Sequence, residues 1–289
     1  MKDLSQYREK AKRGTVDFPF EHYTMKNKDN YNNMAEPHWH PEIEIYYVTK
    51  GEIVVTVSDE RYILKPNDIF FINPEELHSV TPNVLPVEYH AAVFSASLFE
   101  FKETHFFEEN FTEPLKQRAL IFPRLITKAH PFYNQIEHYL TLIFTQHTTS
   151  KPLIFSDLIG LFTLLLENSL MSRQAENLTD KHSDDIKLCI NYIEKNYTEK
   201  IKLSELADLV HMSSNYFCNY FKNYTGMSPF THINYIRIKK ATSLLLKSSD
   251  SIVNIAENCG FENVSFFTRK FKEIMGCTPS VYRKKHFKN

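Results

Sequence analysis

Four residues, His38, His40, Glu44 and His78, have the types and spacing needed to bind a metal ion or a polar ligand. The first three lie at even positions of the stretch PHWHPEIEIYYVTKG. Side chains alternate between the faces of an extended strand, so these three would share one face and the apolar odd-numbered residues the other. Imidazole nitrogen and carboxylate oxygen are ligands that suit divalent zinc, iron or manganese. The pattern predicts a polar wall with the ligand types of a metal site.

The same stretch resembles the first motif of the cupin family, HxHxxxE followed by a glycine, which is Gly51 here. The second cupin motif is matched less closely, with Pro74 and His78 in place. Its two glycines and its closing asparagine are replaced by Asp68, Glu76 and Pro82. The resemblance implies a jelly-roll β-barrel whose pocket wall carries the three histidines and Glu44.

Two interpretations of this wall differ in what it binds. In one, the three histidines and Glu44 bind a divalent transition metal. In the other, they hydrogen-bond one another or a small effector, and the incomplete second motif favours this second interpretation. We therefore expect no metal and no cofactor, and an effector pocket formed by His38, His40, Glu44, Tyr46 and His78. Polar groups near the aromatic Trp39 suit a small polar effector such as a sugar.

The elements that would position this pocket are short strands. Runs rich in Val, Ile, Tyr and Phe recur from Phe18 to about Phe99, separated by turn signals such as Lys50-Gly51 and Asn73-Pro74. Many short strands without an intervening helix predict a small antiparallel barrel or sandwich. Residues 1–100 are thus predicted to form a cupin-like ligand-sensing barrel, preceded over residues 1–16 by a short helix or arm without assigned function.

After residue 100 the apolar period becomes helical. Residues 132–147 and 153–171 place apolar side chains at i, i+3, i+4 and i+7, which predicts two amphipathic helices. They could simply close the barrel, but their surplus apolar surface favours pairing of two subunits. Residues 172–183 are polar without a period, as in a flexible linker. Residues 101–180 are predicted to be a helical dimerisation and linker region.

The C-terminal part repeats itself with a step of 50 residues. Phe217 and Phe221 in YFCNYFK recur as Phe267 and Phe271 in FFTRKFK. A short amphipathic run precedes each copy, so each unit is predicted to be a helix, a tight turn and a second helix. Gly260 suits the second turn, whereas His211 at the matching place of the first turn predicts local strain.

The second helix of each unit presents a face of polar and basic side chains. These are Asn215, Cys218, Asn219 and Lys222 in the first unit, and Ser265, Thr268, Arg269 and Lys272 in the second. Asn and Arg bind base edges with two hydrogen bonds, while Lys neutralises phosphate. A solvated helix face is the ordinary alternative for one such helix, but two in tandem favour DNA recognition.

This region of about 100 residues resembles the DNA-binding domain of AraC/XylS-type transcriptional regulators. The matching stretches are IRIKKATSLLL and IVNIAENCGFENVSFFTRKFKEIMGCTPSVYR. The resemblance implies an all-α domain, 184–289, in which one long helix, Pro229 to Leu246, joins two helix-turn-helix units. It also implies base contacts by Asn215, Cys218, Asn219, Val264, Ser265, Thr268 and Arg269. The predicted phosphate contacts are Lys222, Arg237, Lys272 and Arg283.

Charge and composition agree with this division. Residues 184–289 contain 16 Lys+Arg and 10 Asp+Glu, whereas residues 1–183 contain 18 and 25, so the C-terminal part is the basic one. The four cysteines show no CxxC spacing, which argues against a disulfide framework and a zinc module. The polar N-terminus has no signal-peptide pattern, and LIGLFTLLL is about half the length of a membrane-spanning helix. We expect a cytoplasmic protein.

The sequence therefore predicts a ligand-responsive transcription regulator, not an enzyme, that binds promoter DNA as a homodimer and, if it is an activator, contacts RNA polymerase. Two alternatives remain open. One is a metal-dependent cupin enzyme, such as a dioxygenase or isomerase, carrying a DNA-binding tail. The other is a constitutive regulator with an empty, structural barrel.

Overall fold

The computed structural model describes residues 14–15, 17–28, 34–100, 108–117, 119–146, 149–173 and 181–286. The chain divides into two compact units, residues 1–180 and 181–289, called here the N-terminal and C-terminal units. Most of the predicted N-terminal arm and the centre of the predicted linker, 174–180, lie outside the described residues. In the described part of the chain, no helix is long and apolar enough to cross a membrane.

The described residues of the N-terminal unit form nine strands, all paired antiparallel. They are β1 (Phe20–Asn27), β2 (Ala35–His38), β3 (Ile43–Val57), β4 (Glu60–Leu64), β5 (Ile69–Ile72), β6 (His78–Phe94), β7 (Leu120–Ile121), β8 (Leu125–Ile126) and β9 (Ser172–Arg173). Seven of them form one sheet with the order β1-β6-β3-β5-β8, in which β2 also pairs with β6 and β4 with β3. Strands β7 and β9 form a separate pair.

Two long strands, β3 and β6, run through both halves of this sheet. The predicted turn at Lys50-Gly51 is wrong: β3 continues through it, and its register against β6 shifts between Val48 and Ile53. Gly51 adopts φ 69°, and a Cβ there would lie 2.4 Å from the carbonyl oxygens of Val84 and Pro86. Glycine is required because only a backbone without Cβ allows this bend against β6.

Alternation along β3 separates two apolar clusters. Tyr46 and Val48 belong to an inner cluster that includes Phe70 and Tyr89. Ile43 and Ile45 belong to an outer cluster that also contains residues of the following helices. The predicted alternation is therefore confirmed over residues 43–48, where odd-numbered apolar side chains join the outer cluster and even-numbered ones the inner cluster. Beyond the register shift at Gly51 the odd-numbered Ile53 and Val55 belong to the inner cluster.

The described part of the N-terminal unit has three α-helices: α1 (Glu113–Lys116), which precedes β7, and α2 (Tyr133–Thr141) and α3 (Lys151–Glu167), which follow β8. The chain continues α2 as a π-helical turn over Leu142–Gln146. Helices are present at both predicted places: α2 with its π-helical turn covers 133–146, while α3 begins two residues before the predicted start and ends four residues before the predicted end. Their buried side chains join the outer cluster. The linker predicted over residues 172–183 is too long at both ends. Ser172–Arg173 pairs with Leu120–Ile121, and the next helix already begins at Lys181.

The described residues of the C-terminal unit form helices joined by short loops and no strand. Its helices are α4 (Lys181–Asn196), α5 (Leu203–Leu209), α6 (Ser214–Thr225), α7 (Pro229–Lys247), α8 (Ile252–Asn258), α9 (Val264–Met275) and α10 (Pro279–His286). Side chains of Ser213, Ser228, Ser251 and Asn263 accept a hydrogen bond from a backbone N–H at the helix starts of α6 to α9. These caps explain why each helix begins where it does.

The repeat predicted from the sequence is present as two helix-turn-helix units, α5–α6 and α8–α9, both packed against the long helix α7. His211 in the first turn has φ 56° and Gly260 in the second has φ 81°. The strain expected at His211 is therefore confirmed, because a left-handed backbone disfavours a residue with a Cβ. The long helix starts at Pro229, as predicted, and ends at Lys247.

Candidate functional site

The structure brings His38, His40, Glu44 and His78 together at one end of the N-terminal sheet; we call them the histidine–glutamate cluster. His38 ends β2 and is paired in register with His78, which begins β6. The prediction that His38 to Glu44 form one extended strand is wrong, because residues 39–42 belong to no strand. Pro41 has no N–H to donate to a strand ladder, and the chain leaves β2 before re-entering the sheet at β3.

The ligand atoms of the cluster converge. One nitrogen of each imidazole and one oxygen of Glu44 all lie within 4.8 Å of one another. Glu44 Oε2 is 3.2 Å from Nε2 of His40 and 3.1 Å from Nε2 of His78. The ring centroids of His38 and His78 are 4.2 Å apart. His40, Glu44 and His78 are buried, so bulk water screens the interactions between their charges only weakly.

Each histidine is oriented through its second ring nitrogen. The Nδ1 atoms contact backbone carbonyl oxygens: His38 to Glu36 at 2.7 Å, His40 to Glu42 at 3.2 Å and His78 to Glu76 at 2.8 Å. A carbonyl oxygen can only accept, so each Nδ1 carries the hydrogen, and a neutral ring presents the Nε2 lone pair on its other side. Histidines that bind metals are held in the same way.

The pKa shifts of His38 and Glu44 also suit a cation. Burial and the neighbouring His78 lower the pKa of His38 well below its ordinary value. Burial alone would raise the pKa of Glu44, but its contacts with His40 and His78 outweigh burial and hold that pKa well below the usual range. A neutral imidazole and a carboxylate are the forms that bind metal ions. The ligand set therefore fits a divalent transition metal.

Tyr46, the fifth residue of the predicted effector pocket, lies in the inner cluster. Its ring packs edge-on against Tyr89, with centroids 5.4 Å apart, and Tyr46 is 1% exposed. Trp39 is buried as well. The inward surface beyond the histidines is thus largely aromatic and aliphatic, and its tyrosines, Tyr46 and Tyr89 among them, also carry hydroxyl groups.

One interaction beside the cluster was missed by sequence reasoning. Arg124 makes two hydrogen bonds to the carboxylate of Glu76, at 2.6 and 2.5 Å, close to the carbonyl that orients His78. The two residues are 48 positions apart, so no local pattern joins them. The only hint is that Arg124 stands alone among apolar residues in LIFPRLI, where an unpaired charge would be costly.

In the C-terminal unit, the predicted base-contacting residues lie on the second helix of each helix-turn-helix unit. On α6, Asn215 and Asn219 are exposed and Cys218 is partly exposed. On α9, Ser265 and Arg269 are exposed, whereas Val264 and Thr268 are partly exposed. The opposite side of each helix is anchored by buried phenylalanines, such as Phe217 and Phe267.

The four predicted phosphate contacts fall into two groups. Lys222 and Lys272 are exposed near the ends of α6 and α9. Arg237 donates to the carbonyl oxygens of Tyr197 and Glu199, at 2.7 and 2.8 Å. Arg283 donates to the carbonyl oxygen of Asp250 at 2.6 Å. Both arginines thus hold protein elements together through backbone acceptors, while the two lysines face solvent.

Comparison with known proteins gives matches in both units. The family described as AraC-like ligand binding domain matches residues 26–103, and the family described as helix-turn-helix domain matches residues 206–285. The uncharacterised HTH-type transcriptional regulator YdeC of Bacillus subtilis (strain 168) is 25% identical, over 98% of this chain and 96% of its own. The raffinose operon transcriptional regulatory protein RafR of Pediococcus pentosaceus is 24% identical, over 83% and 84%.

Among solved structures, ToxT from Vibrio cholerae is similar over 92% of this chain and 98% of its own, with 14% identity and a TM-score of 0.41. The two domain matches follow the order of the units described above: a β-rich domain that carries the histidine–glutamate cluster, then two helix-turn-helix units. The resemblance and fold class predicted from the sequence are confirmed, and the chain belongs to the AraC-type helix-turn-helix transcriptional regulators.

Proposed function

We propose that this chain binds promoter DNA through both helix-turn-helix units and changes that binding when a divalent transition metal occupies the histidine–glutamate cluster. The coarser function, a ligand-responsive DNA-binding transcriptional regulator, follows from the family. The finer statements concern which residues read DNA, which ligand the N-terminal unit takes, and how subunits pair.

DNA binding is supported by the matched exposure of α6 and α9. Both helices bury phenylalanines on one side and present polar or basic residues on the other, 50 positions apart. Each helix would enter a major-groove segment, with the two segments about one helical turn apart. Base contacts are proposed for Asn215, Cys218, Asn219, Val264, Ser265, Thr268 and Arg269. Phosphate contacts are proposed for Lys222 and Lys272, with Arg237 and Arg283 positioning the helices.

The proposal of a metal rests on the close contacts of Glu44 Oε2 with two imidazole Nε2 atoms. In both rings Nδ1 faces a carbonyl oxygen, so the contact of Nε2 with Glu44 Oε2 needs either a proton on Nε2, which makes the ring an imidazolium, or a metal ion between the two atoms. Protonating both His40 and His78 would place two cations side by side in a buried site, which is costly. One divalent ion bound by three nitrogens and a carboxylate oxygen removes that conflict. This favours a metal over the carbohydrate effector expected from the sequence.

Elemental analysis tests the metal directly. The full chain, purified and equilibrated with Zn²⁺ before removal of free ion, is expected to retain about one zinc per chain, and His40→Ala to retain none. His138→Ala, which removes an exposed histidine of the same unit, is the matched control and should keep the zinc. A wild-type chain without zinc, iron, manganese or cobalt after such loading would contradict the metal and leave the cluster as a hydrogen-bonded pocket wall.

Subunit pairing through α3 is the third part of the proposal. Leu153 and Leu166 on this helix are 46% and 37% exposed, although most of its other leucines are buried in the outer cluster. An apolar surface left on a helix that already packs against its own sheet suits a second copy of the same helix. Homodimerisation would place two C-terminal units on one promoter and raise their combined affinity.

A further inference from the structure

We propose that Arg124 and Glu76 are positioning residues that connect the histidine–glutamate cluster to the β7–β9 strand pair, from which the chain continues toward the DNA-binding unit. This inference rests on the metal site proposed above and assigns the route by which metal binding alters DNA affinity. It depends on a chain of short contacts within the N-terminal unit.

The first link joins the cluster to Glu76. The backbone carbonyl of Glu76 accepts from Nδ1 of His78 at 2.8 Å, which sets the ring orientation. The side chain of Glu76 also accepts from the backbone N–H of Asn73 at 2.8 Å, closing the loop between β5 and β6. A metal held by Nε2 of His78 would therefore fix the ring, the Glu76 peptide and this loop together.

The second link joins Glu76 to the segment that leads from β7 to β8. Both carboxylate oxygens of Glu76 bind the guanidinium of Arg124, and this guanidinium also donates to the Phe71 carbonyl at 2.9 Å. The Phe122 N–H donates to the Asn73 side chain at 2.7 Å. Paired, charge-assisted bonds define both distance and orientation, so a shift of the loop carries residues 122–124 with it.

The third link is β7 itself. Leu120 and Ile121 pair with Arg173 and Ser172 of β9. Residue 173 is followed by only seven residues, 174–180, before the C-terminal unit begins with α4 at Lys181. The Glu76–Arg124 pair is thus the charged side-chain connection, beside the Asn73–Phe122 hydrogen bond, between the cluster loop and a strand pair that ends close, in sequence, to the DNA-binding unit.

The operator used in the test is a DNA site that the full chain selects from a random library. The measured quantity is a coupling factor, defined as the Kd for this operator without zinc divided by the Kd with saturating Zn²⁺. In wild type this factor is expected to differ from one by fivefold or more, a typical allosteric coupling. Arg124→Met should still bind one zinc per chain, with a coupling factor within about twofold of one. Arg124→Lys keeps the charge but not the paired geometry, and should restore part of the coupling.

Glu76→Gln provides a second variant that keeps the backbone carbonyl for His78, and it should lose coupling as Arg124→Met does. Lys26→Met is the matched control, because it breaks the ion pair with Glu88 elsewhere on the same sheet and should keep the wild-type factor. Coupling retained in both Arg124→Met and Glu76→Gln overturns the route. If wild type binds zinc but shows no coupling, the proposed route is contradicted and the metal site is retained. If wild type binds no zinc, both the metal site and the route are contradicted.

Discussion

The guanidinium of Arg269 lies 5.3 Å from the centre of the ring of Phe266, which is one turn earlier on α9 and partly buried. Stacking on an aromatic face limits the directions in which an arginine can extend. Arg269 is therefore partly ordered before any DNA is bound, and less side-chain entropy is lost when it reaches a base. This arrangement makes Arg269 the clearest test of sequence reading by the second helix-turn-helix unit.

Replacing Arg269 by alanine should weaken operator binding by about 1–3 kcal/mol, the usual value of a paired base contact, and weaken binding to scrambled DNA much less. Fluorescence anisotropy with both DNAs measures the two losses. Lys270→Ala is the control: it removes the same charge at the next position, where the ammonium is held 2.9 Å from Glu273. Equal losses on both DNAs would reassign Arg269 to a phosphate.

Gly51, at the bend of β3, and Gly226, at the end of α6, should differ in how much stability is lost when each is replaced by alanine. Gly226 and Gly51 both have positive φ, but an added Cβ meets nothing within 4 Å at Gly226 and two carbonyl oxygens at Gly51. Gly226→Ala should cost only the left-handed strain, about 1–2 kcal/mol. Gly51→Ala adds a steric clash and should cost about 2–5 kcal/mol.

Urea unfolding distinguishes the two, because Trp39, the single tryptophan, reports on the N-terminal unit while far-UV circular dichroism is dominated by the helical C-terminal unit. Gly51→Ala should lower the midpoint of the Trp39 fluorescence transition alone. An unchanged fluorescence midpoint would mean that β3 accommodates a left-handed alanine next to Val84.

His232 predicts a pH dependence of the C-terminal unit. Burial and the nearby charge of Lys239 lower its pKa to about 4, and it packs against Phe221. The unfolded chain takes up the proton near pH 6.5, before the folded chain does, so stability is complete above pH 6.5 and is lost as pH falls toward 4. The expected loss is about 3 kcal/mol.

Urea unfolding followed by circular dichroism at pH 7, 6, 5 and 4 measures that loss. His232→Leu should flatten the dependence, since a leucine at this position binds no proton in either state. His138→Leu, at an exposed position, is the control and should follow wild type. A wild-type slope retained in His232→Leu would assign the acid sensitivity to other groups.

Pairing through α3 predicts a change of mass. Replacing Leu153 and Leu166 together by glutamate should convert the full chain from dimer to monomer at about 10 µM, because buried carboxylates would face each other across the interface. Sedimentation equilibrium gives the mass directly. Ile63→Glu, which alters an exposed apolar residue on β4, should remain dimeric. A monomeric wild type at this concentration leaves α3 with only a sheet-covering role.

The repetition in the C-terminal unit is visible in the sequence because local spacing carries it. Phe217 and Phe267 occupy the same position of two short helices, and Gly260 and His211 mark the two turns. Each unit is made from contacts close in sequence, so period and turn chemistry were sufficient to predict both units and the start of α7 at Pro229.

The N-terminal unit was harder because its defining contacts are long-range. The four cluster residues were identified from residue type, spacing and resemblance to the cupin motifs, yet the reason they meet is the pairing of His38 with His78 and the turn at Pro41. Strand alternation predicted their convergence from a geometry that the chain does not adopt. The Glu76–Arg124 pair and the β7–β9 pairing join segments about 50 residues apart, and no local pattern specifies such partners.

The length of α7 has a consequence for the kind of DNA site this chain can use. Its 19 residues extend about 28 Å, and both helix-turn-helix units pack against it. One added base pair separates the two half-sites by about 3.4 Å and rotates them by about 35°. One residue added to α7 would instead lengthen the helix by about 1.5 Å and rotate its end by about 100°. Adding one residue therefore does not compensate for one added base pair. Promoters recognised by this chain should therefore tolerate base substitutions far better than single-base insertions between the two half-sites.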